Sequence, residues 1–454
     1  MTPPFHAETA AARVAQLAWA NLPVKERLRP IGEFRRLLVE RLNDITAAIE
    51  ADVKRPSDQV VSSEVLPVAD AAKWLETQAA SILKPRRVSG RPMWLMGCED
   101  VVYRRPWGVV AVVGTWNYPL FLNAVPVLHA MVAGNAVLWK PSENAPRFAE
   151  VFGTLIRDAG FPVGCFTMLP ATREAGPMVA EADVDFVHFT GSEPVGRQLA
   201  KRLGERLIPS TLELSGCDAM FVLADANVEL AARAAWYGAT LNDGRTCMAT
   251  RRVFVQRAAW EKFVAALAPL SPGGRGVGGE GGLHLNPPPD HPARRESTFT
   301  PTLAVLLFDT IDEALALHAE SPFRLTASVF VRGGPDWGDT SEAERLVARL
   351  PVGSVIINDV IAPTAHPGTP FGGRGASGWG VTQGDEGLLQ MTVPQTVTVH
   401  SGTFRPHVES VLTNDPAGGE VTAGMLRMAH GRTLGARWHG LMQMVRGMMK
   451  FGKR

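Results

Sequence analysis

The sequence predicts an α/β protein built from two doubly wound lobes, with the border near residue 214. Three observations point there. Short apolar runs alternate with helical stretches of about 10–15 residues, which is the signature of βαβ units on a parallel sheet. The alternation runs once before residue 214 and resumes after it. The chain has 454 residues, room for two or three domains at ~150 residues each.

The elements follow in order. Residues 7–85 read as helical, because Leu38, Leu42, Ile45 and Ile49 recur every three or four positions. From Pro92 the texture changes, and 93–96 and 109–113 read as strands, the second almost wholly β-branched. A helix is expected over 120–132, a strand over 136–139 and a helix over 146–159. Strands near 166–169, 185–189 and 211–214 have helices between them. After Val228 come a helix, a strand at 252–255, a helix at 260–267, and strands at 303–308, 326–331 and 354–357. One stretch breaks the pattern. Glycine and proline crowd residues 271–292, too densely for a helix or a central strand, so a surface loop is expected there.

The tail beyond Ser401 has a different character. Leu434, Trp438, Leu441, Met442, Val445, Met448 and Met449 share one helical stripe, ringed by Arg437, Arg446, Lys450, Lys453 and Arg454. Such a basic amphipathic helix can lie on a membrane surface, or dock on the body of the protein or on a partner subunit.

Composition narrows the function. A net charge of +1 gives no overall basic field for nucleic acid. The four cysteines, Cys98, Cys165, Cys217 and Cys247, form no C-x-x-C pair and are too few for a disulfide scaffold, so a reducing cytoplasmic setting is expected. No apolar run reaches the ~18 residues that span a bilayer, and no secretory signal is read at the N-terminus. Zinc-ligand spacings, the G-x-S-x-G elbow and the nucleotide-hydrolysing P-loop are all missing, so no metal is expected.

Five segments can carry chemistry. Cys247 follows a helical run and the sequence Asn242-Asp243-Gly244-Arg245-Thr246. It is a small buried hydrophobe, or a nucleophile if its surroundings favour the thiolate. Glu213 ends an apolar strand, where ligand crevices of open α/β sheets lie; in an apolar crevice it becomes a general base. Asn117, at a strand–glycine–helix junction, is a helix cap or an amide donor to a developing oxyanion. Lys140, Ser142 and Glu143 follow another strand, where a lysine and an acid can hold ribose hydroxyls. Gly191 and Ser192 open a helix whose N-terminus suits a pyrophosphate.

Together these segments resemble the aldehyde dehydrogenase superfamily over residues from about 10 to 400. The resemblance rests on Pro106-Trp107-Gly108-Val109, Gly114-Thr115-Trp116-Asn117-Tyr118-Pro119, Ala133-Gly134-Asn135-Ala136, Lys140-Pro141-Ser142-Glu143, Phe189-Thr190-Gly191-Ser192, Glu213-Leu214, Gly244-Arg245-Thr246-Cys247, Pro370-Phe371-Gly372-Gly373 and Ser377-Gly378. The Trp-Asn-Tyr-Pro form and the C-terminal extension look like the class 3, fatty-aldehyde branch.

The resemblance implies NAD(P)-dependent oxidation of an apolar aliphatic or aromatic aldehyde to its acid. Cys247 would form the thiohemiacetal and then the thioester, Asn117 and the Cys247 N–H would hold the oxyanion, and Glu213 would activate water. Thr115, Trp116, Lys140, Ser142, Glu143, Gly191, Ser192, Leu214, Glu296 and Phe299 would bind NAD, with NADP as a second cofactor. It also implies a domain plan. Residues 1–213 would be the cofactor domain and 214–385 the catalytic domain with its loop at 271–292. Residues 386–400 would be an oligomerisation strand joining a homodimer together with strands near 92–104, and 401–454 an extension.

The chain departs from the family in three places. Ser215-Gly216-Cys217 stands where Gly-Gly-Lys is usual, and Thr300 replaces a glycine beside Phe299. Glu296 follows Cys247 by only 49 residues, which implies a shortened catalytic lobe. Two other readings stay open: a catalytically impaired nucleotide-binding or assembly subunit, and a coenzyme-A-acylating dehydrogenase.

Overall fold

A computed structural model describes residues 2–92, 95, 97–271, 282–333, 342–401, 412 and 416–451. The expected strand at 93–96 and the charges of Lys453 and Arg454 fall largely or wholly outside these residues.

The apolar spacing of the N-terminal region yields helices, as expected: α1 (His6–Ala20), α2 (Val24–Arg27), α3 (Arg29–Glu40), α4 (Leu42–Val53), α5 (Ser57–Val60) and α6 (Leu66–Ile82). Ile31, Phe34, Leu38, Ile45 and Ile49 form their buried faces. A π-helical turn at Val61–Val65 joins α5 to α6 and buries Glu64.

The alternating region then begins with β1 (Arg86–Arg87), β2 (Cys98–Pro106), β3 (Val109–Val113), α7 (Phe121–Ala133), β4 (Ala136–Lys140), α8 (Pro146–Asp158), β5 (Phe166–Met168), α9 (Ala175–Val179), β6 (Phe186–Thr190), α10 (Glu193–Glu205) and β7 (Ser210–Glu213). It continues as β8 (Asp218–Val222), α11 (Val228–Thr240), β9 (Thr250–Gln256), α12 (Arg257–Leu267), β10 (Gly282–Leu285), β11 (Thr302–Phe308), α13 (Ile311–Ala319), β12 (Phe323–Arg324), β13 (Thr326–Phe330), α14 (Glu342–Arg349), β14 (Ser354–Ile357), β15 (Arg374–Gly375), β16 (Gly378–Trp379), α15 (Gly384–Gln390) and β17 (Thr392–His400). Two helices close the chain, α16 (Pro416–His430) and α17 (Leu434–Phe451).

The first large sheet has the order β16-β7-β6-β3-β4-β5, parallel except for β16. Chain order reverses on either side of β3, so a crevice opens at the carboxyl ends of β3 and β6. The second sheet, β10-β11-β9-β8-β13-β14, is parallel throughout. Each sheet is apolar on both faces, and β3, β4, β6 and β8 are buried along their whole length.

The loop expected at 271–292 needs correction, since Gly282–Leu285 is a strand paired in parallel with Thr302–Val305. It sits at the sheet edge, where glycine and proline on its flanks are tolerated.

The chain divides into two compact units. Residues 1–83 with 105–393 hold both large sheets, and residues 84–104 with 394–454 form the second unit. In that second unit β1, β2 and β17 make a small sheet. The expected tail helix is α17, but its neighbour is α16, which was not anticipated. The two helices are antiparallel, and a Cβ at Gly424, Gly440 or Gly447 would strike the backbone of the opposite helix. The large apolar side chains consequently face away from the seam; Trp438 is 65% exposed.

Candidate active site

One cleft of about 710 Å³ opens at the switch point of the first sheet. Thr115, Trp116 and Asn117, from the loop after β3, line it. So do Lys140, Ser142 and Glu143 after β4, Gly191 and Ser192 after β6, Glu213 and Leu214 at the end of β7, Cys247, and Phe299. The structure therefore brings together all but one of the expected residues. Glu296 is exposed and is not among the lining residues; Ser297 lines the wall instead.

Cys247 sits in a turn before β9. Asn242, Asp243 and Gly244 all have positive φ, of 54°, 54° and 74°. Three left-handed residues in a row reverse the chain sharply, and Asn and Asp tolerate that region better than other side chains. The turn is tied to the Asn117 loop. Asn117 Nδ2 donates to the Arg245 carbonyl at 3.0 Å, and Tyr118 and Thr246 share a hydroxyl hydrogen bond of 2.7 Å. Burial pushes the Cys247 thiol up to about 12, with Glu213 and Asp218 adding to the rise and the backbone N–H groups of Met248 and Cys247 opposing it. Around it lie Met248, Leu325 and Phe371.

Glu213 is buried. Its Oε1 accepts from Thr382 Oγ1 at 2.6 Å and its Oε2 from Thr190 Oγ1 at 3.5 Å. Burial raises its pKa to about 7, and these two hydroxyls work the other way. A carboxyl balanced there can take a proton near neutral pH.

Arg55, which sequence reasoning did not single out, fastens the site from behind. Its guanidinium pairs with Glu64 at 2.6 Å, donates to Asn242 Oδ1 at 3.0 Å and to the Asn117 carbonyl, and lies over the Tyr118 ring. Glu64 in turn accepts from the N–H groups of Leu120 and Phe121 at the start of α7. No local motif marks these two residues; only the folded chain joins them to the cysteine turn.

The cofactor half of the cleft fits a dinucleotide. Ser192 is the N-cap of α10 and makes no side-chain cap bond, so its hydroxyl and the helix N–H groups can meet a pyrophosphate. Gly196 of α10 lies against Leu214, where an added Cβ would collide with the leucine side chain. The Lys140 ammonium lies 3.1 Å from Glu143 Oε2. Burial acts to raise Glu143, but its own backbone N–H and Lys140 outweigh that and hold it below the usual range.

The comparisons agree with this geometry. The sequence pattern of the aldehyde dehydrogenase family matches residues 5–271 and 276–397. A 4,4'-diapolycopene aldehyde oxidase of Methylomonas sp is 32% identical over 84% of this chain and 79% of its own length. A proposed succinate-semialdehyde dehydrogenase [NADP(+)] 2 of Mycobacterium ulcerans is 29% identical, over 86% of this chain and 83% of its own. The NAD-dependent aldehyde dehydrogenase of Sinorhizobium meliloti superposes with a TM-score of 0.79 at 26% identity, covering 88% of this chain and 87% of that one. The chain belongs to the aldehyde dehydrogenase family: it is an NAD(P)-dependent enzyme that oxidises aldehydes to carboxylic acids.

Proposed function

We propose that Cys247 is the nucleophile, Asn117 the oxyanion donor and Glu213 the hydrolytic base for an apolar aldehyde. The observation that carries this reading is the convergence of a thiol, an amide and a buried carboxyl on one cleft whose other half fits a dinucleotide. Leu122, Leu325, Phe299 and Phe371 line the cleft and favour an aliphatic or aromatic substrate over a charged one.

The Cys247 thiol, which burial keeps protonated, gives its proton to Glu213 as the sulfur adds to the aldehyde carbon, and Glu213 passes that proton to solvent before hydrolysis. Asn117 Nδ2 has two hydrogens; one is held by the Arg245 carbonyl and the other can meet the new oxyanion beside the Cys247 N–H. A bound NAD(P) would supply the acceptor for the hydride that leaves the carbon. Thr115, Trp116, Lys140, Ser142, Glu143, Gly191, Ser192, Leu214 and Phe299 form its cradle. Lys140 and Glu143 hold the ribose, and Glu143 favours a free 2′-hydroxyl and hence NAD. Glu213 then takes a proton from water as the hydroxyl adds to the thioester, the C–S bond breaks, and the acid leaves. Glu296, exposed and next to the lining residue Ser297, would reach the nicotinamide ribose from the rim of the cleft.

The test is NADH formation by the purified chain across aliphatic and aromatic aldehydes. Cys247→Ser should abolish it, and Glu213→Gln should accumulate thioester and lower turnover at least ~100-fold, the usual contribution of a general base. An active serine variant removes the nucleophile, and a normal glutamine variant removes the base. Release of a coenzyme A ester instead of the acid would favour the acylating alternative, against which the buried Glu213 stands.

The fatty-aldehyde branch, the shortened catalytic lobe and the domain plan read from the sequence belong to this same proposal. The enzyme works in the cytoplasm, in keeping with four cysteines that are all free. The hairpin of α16 and α17 rests on an anionic membrane surface, supported by its outward apolar side chains and by Arg432, Arg437, Arg446 and Lys450. A homodimer forms through β17, a nine-residue strand whose one sheet neighbour among the described residues is β2.

A further inference from the structure

Thr382 lies after β16, far along the chain from the carboxyl that it touches. Its Oγ1 is 2.6 Å from Glu213 Oε1 and 3.5 Å from the Phe371 carbonyl oxygen. The backbone is pinned on both sides. Thr382 N donates to the Phe371 carbonyl at 2.7 Å, and Phe371 N donates back to Thr382 at 2.8 Å. Gly387 packs so closely that a Cβ there would meet the Thr382 carbonyl carbon at 2.5 Å. Both Thr382 and Glu213 are buried.

A threonine hydroxyl has one hydrogen and two lone pairs. It can give its hydrogen to an ionised Glu213. It can also turn that hydrogen toward the Phe371 carbonyl and accept from a protonated Glu213. Either arrangement leaves the carboxyl partnered without moving it, where an unpartnered buried carboxyl would swing or disorder.

We propose that Thr382 is a positioning residue for the base, with its hydroxyl acting as a rotor that holds Glu213 in one place through both protonation states. This rests on the reading of Glu213 as the hydrolytic base. In the step concerned, water oxygen bonds to the thioester carbon and a water proton goes to Glu213. The C–S bond then breaks, and its electron pair stays on the Cys247 sulfur. Thr382 turns as the proton arrives and turns back when it departs to solvent.

Several other groups bear on Glu213. From β6, Thr190 reaches its second oxygen, with His188 3.2 Å behind that hydroxyl and kept neutral by burial. From β16 the residue opposite is Gly378, which has no side chain to offer. From the cysteine turn comes Cys247, and from β8 comes Asp218, which acts on that same thiol. On α10, Gln198 and Arg202 line the shared cleft.

The experiment uses p-nitrophenyl acetate, which acylates a reactive thiol without any hydride transfer. The nitrophenolate burst reads acylation, and the steady rate reads hydrolysis by Glu213. Thr382→Val keeps the shape but removes the hydroxyl. It should retain the burst, slow the steady rate roughly 10-fold, and move the acid limb of hydrolysis up by about one pH unit, because the bond given to the charged carboxylate is the stronger of the two and its loss favours the protonated form. Thr382→Ser should return rate and limb toward the wild type. A valine variant with an unshifted limb and normal rate overturns the rotor. Equal loss of burst and rate in both variants also overturns it, by making Thr382 merely structural. If Glu213→Gln itself hydrolyses normally, the base assignment has failed, and that result is distinct from the others.

Discussion

Glu213, the base in the mechanism proposed above, would do two things with one carboxyl group: serve the reaction and burden the fold. Folded, it keeps its proton up to about pH 7, against 4.5 for an ordinary glutamate. Between those values the folded state binds more protons than the unfolded one, so stability falls as pH rises. The contribution is complete below about 4.5 and is lost through about 7. Glu213→Gln removes that dependence. Thermal melts should show the variant gaining on the wild type at pH 8, by ~1–3 kcal/mol, and gaining little at pH 5. An equal difference at both values would mean that the carboxyl is not held protonated by burial. Glu64 and Asp218, which burial also raises to about 7, stay in both proteins and set the shared background. At this scale the sequence was partly legible. Strand ends and glycine turns single out Asn117 and Glu213 as candidates, and the ordered set of motifs, rather than anything local, adds Cys247 to them. Thr382 and Arg55 carry no such mark, because their partners stand 169 and 62 residues away.

Elements were readable where periodicity is strong and unreadable where composition misleads. The β-branched run of β3 and the apolar β4 declare themselves. β8 begins at Asp218, a buried acid satisfied by Thr326, so its polar start hides a strand. α16 was missed for a related reason: Gly418, Gly419 and Gly424 weaken its helical signal, although Gly424 is what lets α17 approach. Small residues at the seam and large ones outside leave the apolar surface that the proposed membrane contact needs. Vesicle flotation tests this. The full chain should float with phosphatidylserine vesicles and much less with phosphatidylcholine, since each basic residue near an anionic surface contributes ~1 kcal/mol. A truncation after Ser401 should stay in the soluble fraction. Equal flotation of the two chains would release the hairpin from this role. Among the described residues no helix is long and apolar enough to cross a bilayer.

For the whole molecule, the alternation of strands and helices was enough to foresee two sheets, and the carboxyl end of the strand that Glu213 closes was enough to foresee where a crevice lies; the strand order that makes it a switch point came only with the fold. What joins the sheets was not foreseeable, because Asn117–Arg245, Arg55–Asn242 and Glu213–Thr382 are contacts between distant segments. The proposed homodimer would add another such contact. Val397 and Val399 of β17 are 37% and 58% exposed, which suits a face that a second copy covers. Val397→Asp should shift sedimentation from dimer to monomer with the fold intact by circular dichroism. A wild type that sediments as a monomer would place dimerisation out of reach of this strand.

Gly196 has a practical consequence for anyone who would re-engineer the enzyme. Because a Cβ at Gly196 would strike Leu214, one residue from Glu213, the shape of α10 and the seating of the proposed base are a single constraint. Grafting a foreign nucleotide preference into that helix, with any residue larger than glycine at this point, would disturb hydrolysis as well. Both sites would have to be redesigned as a pair.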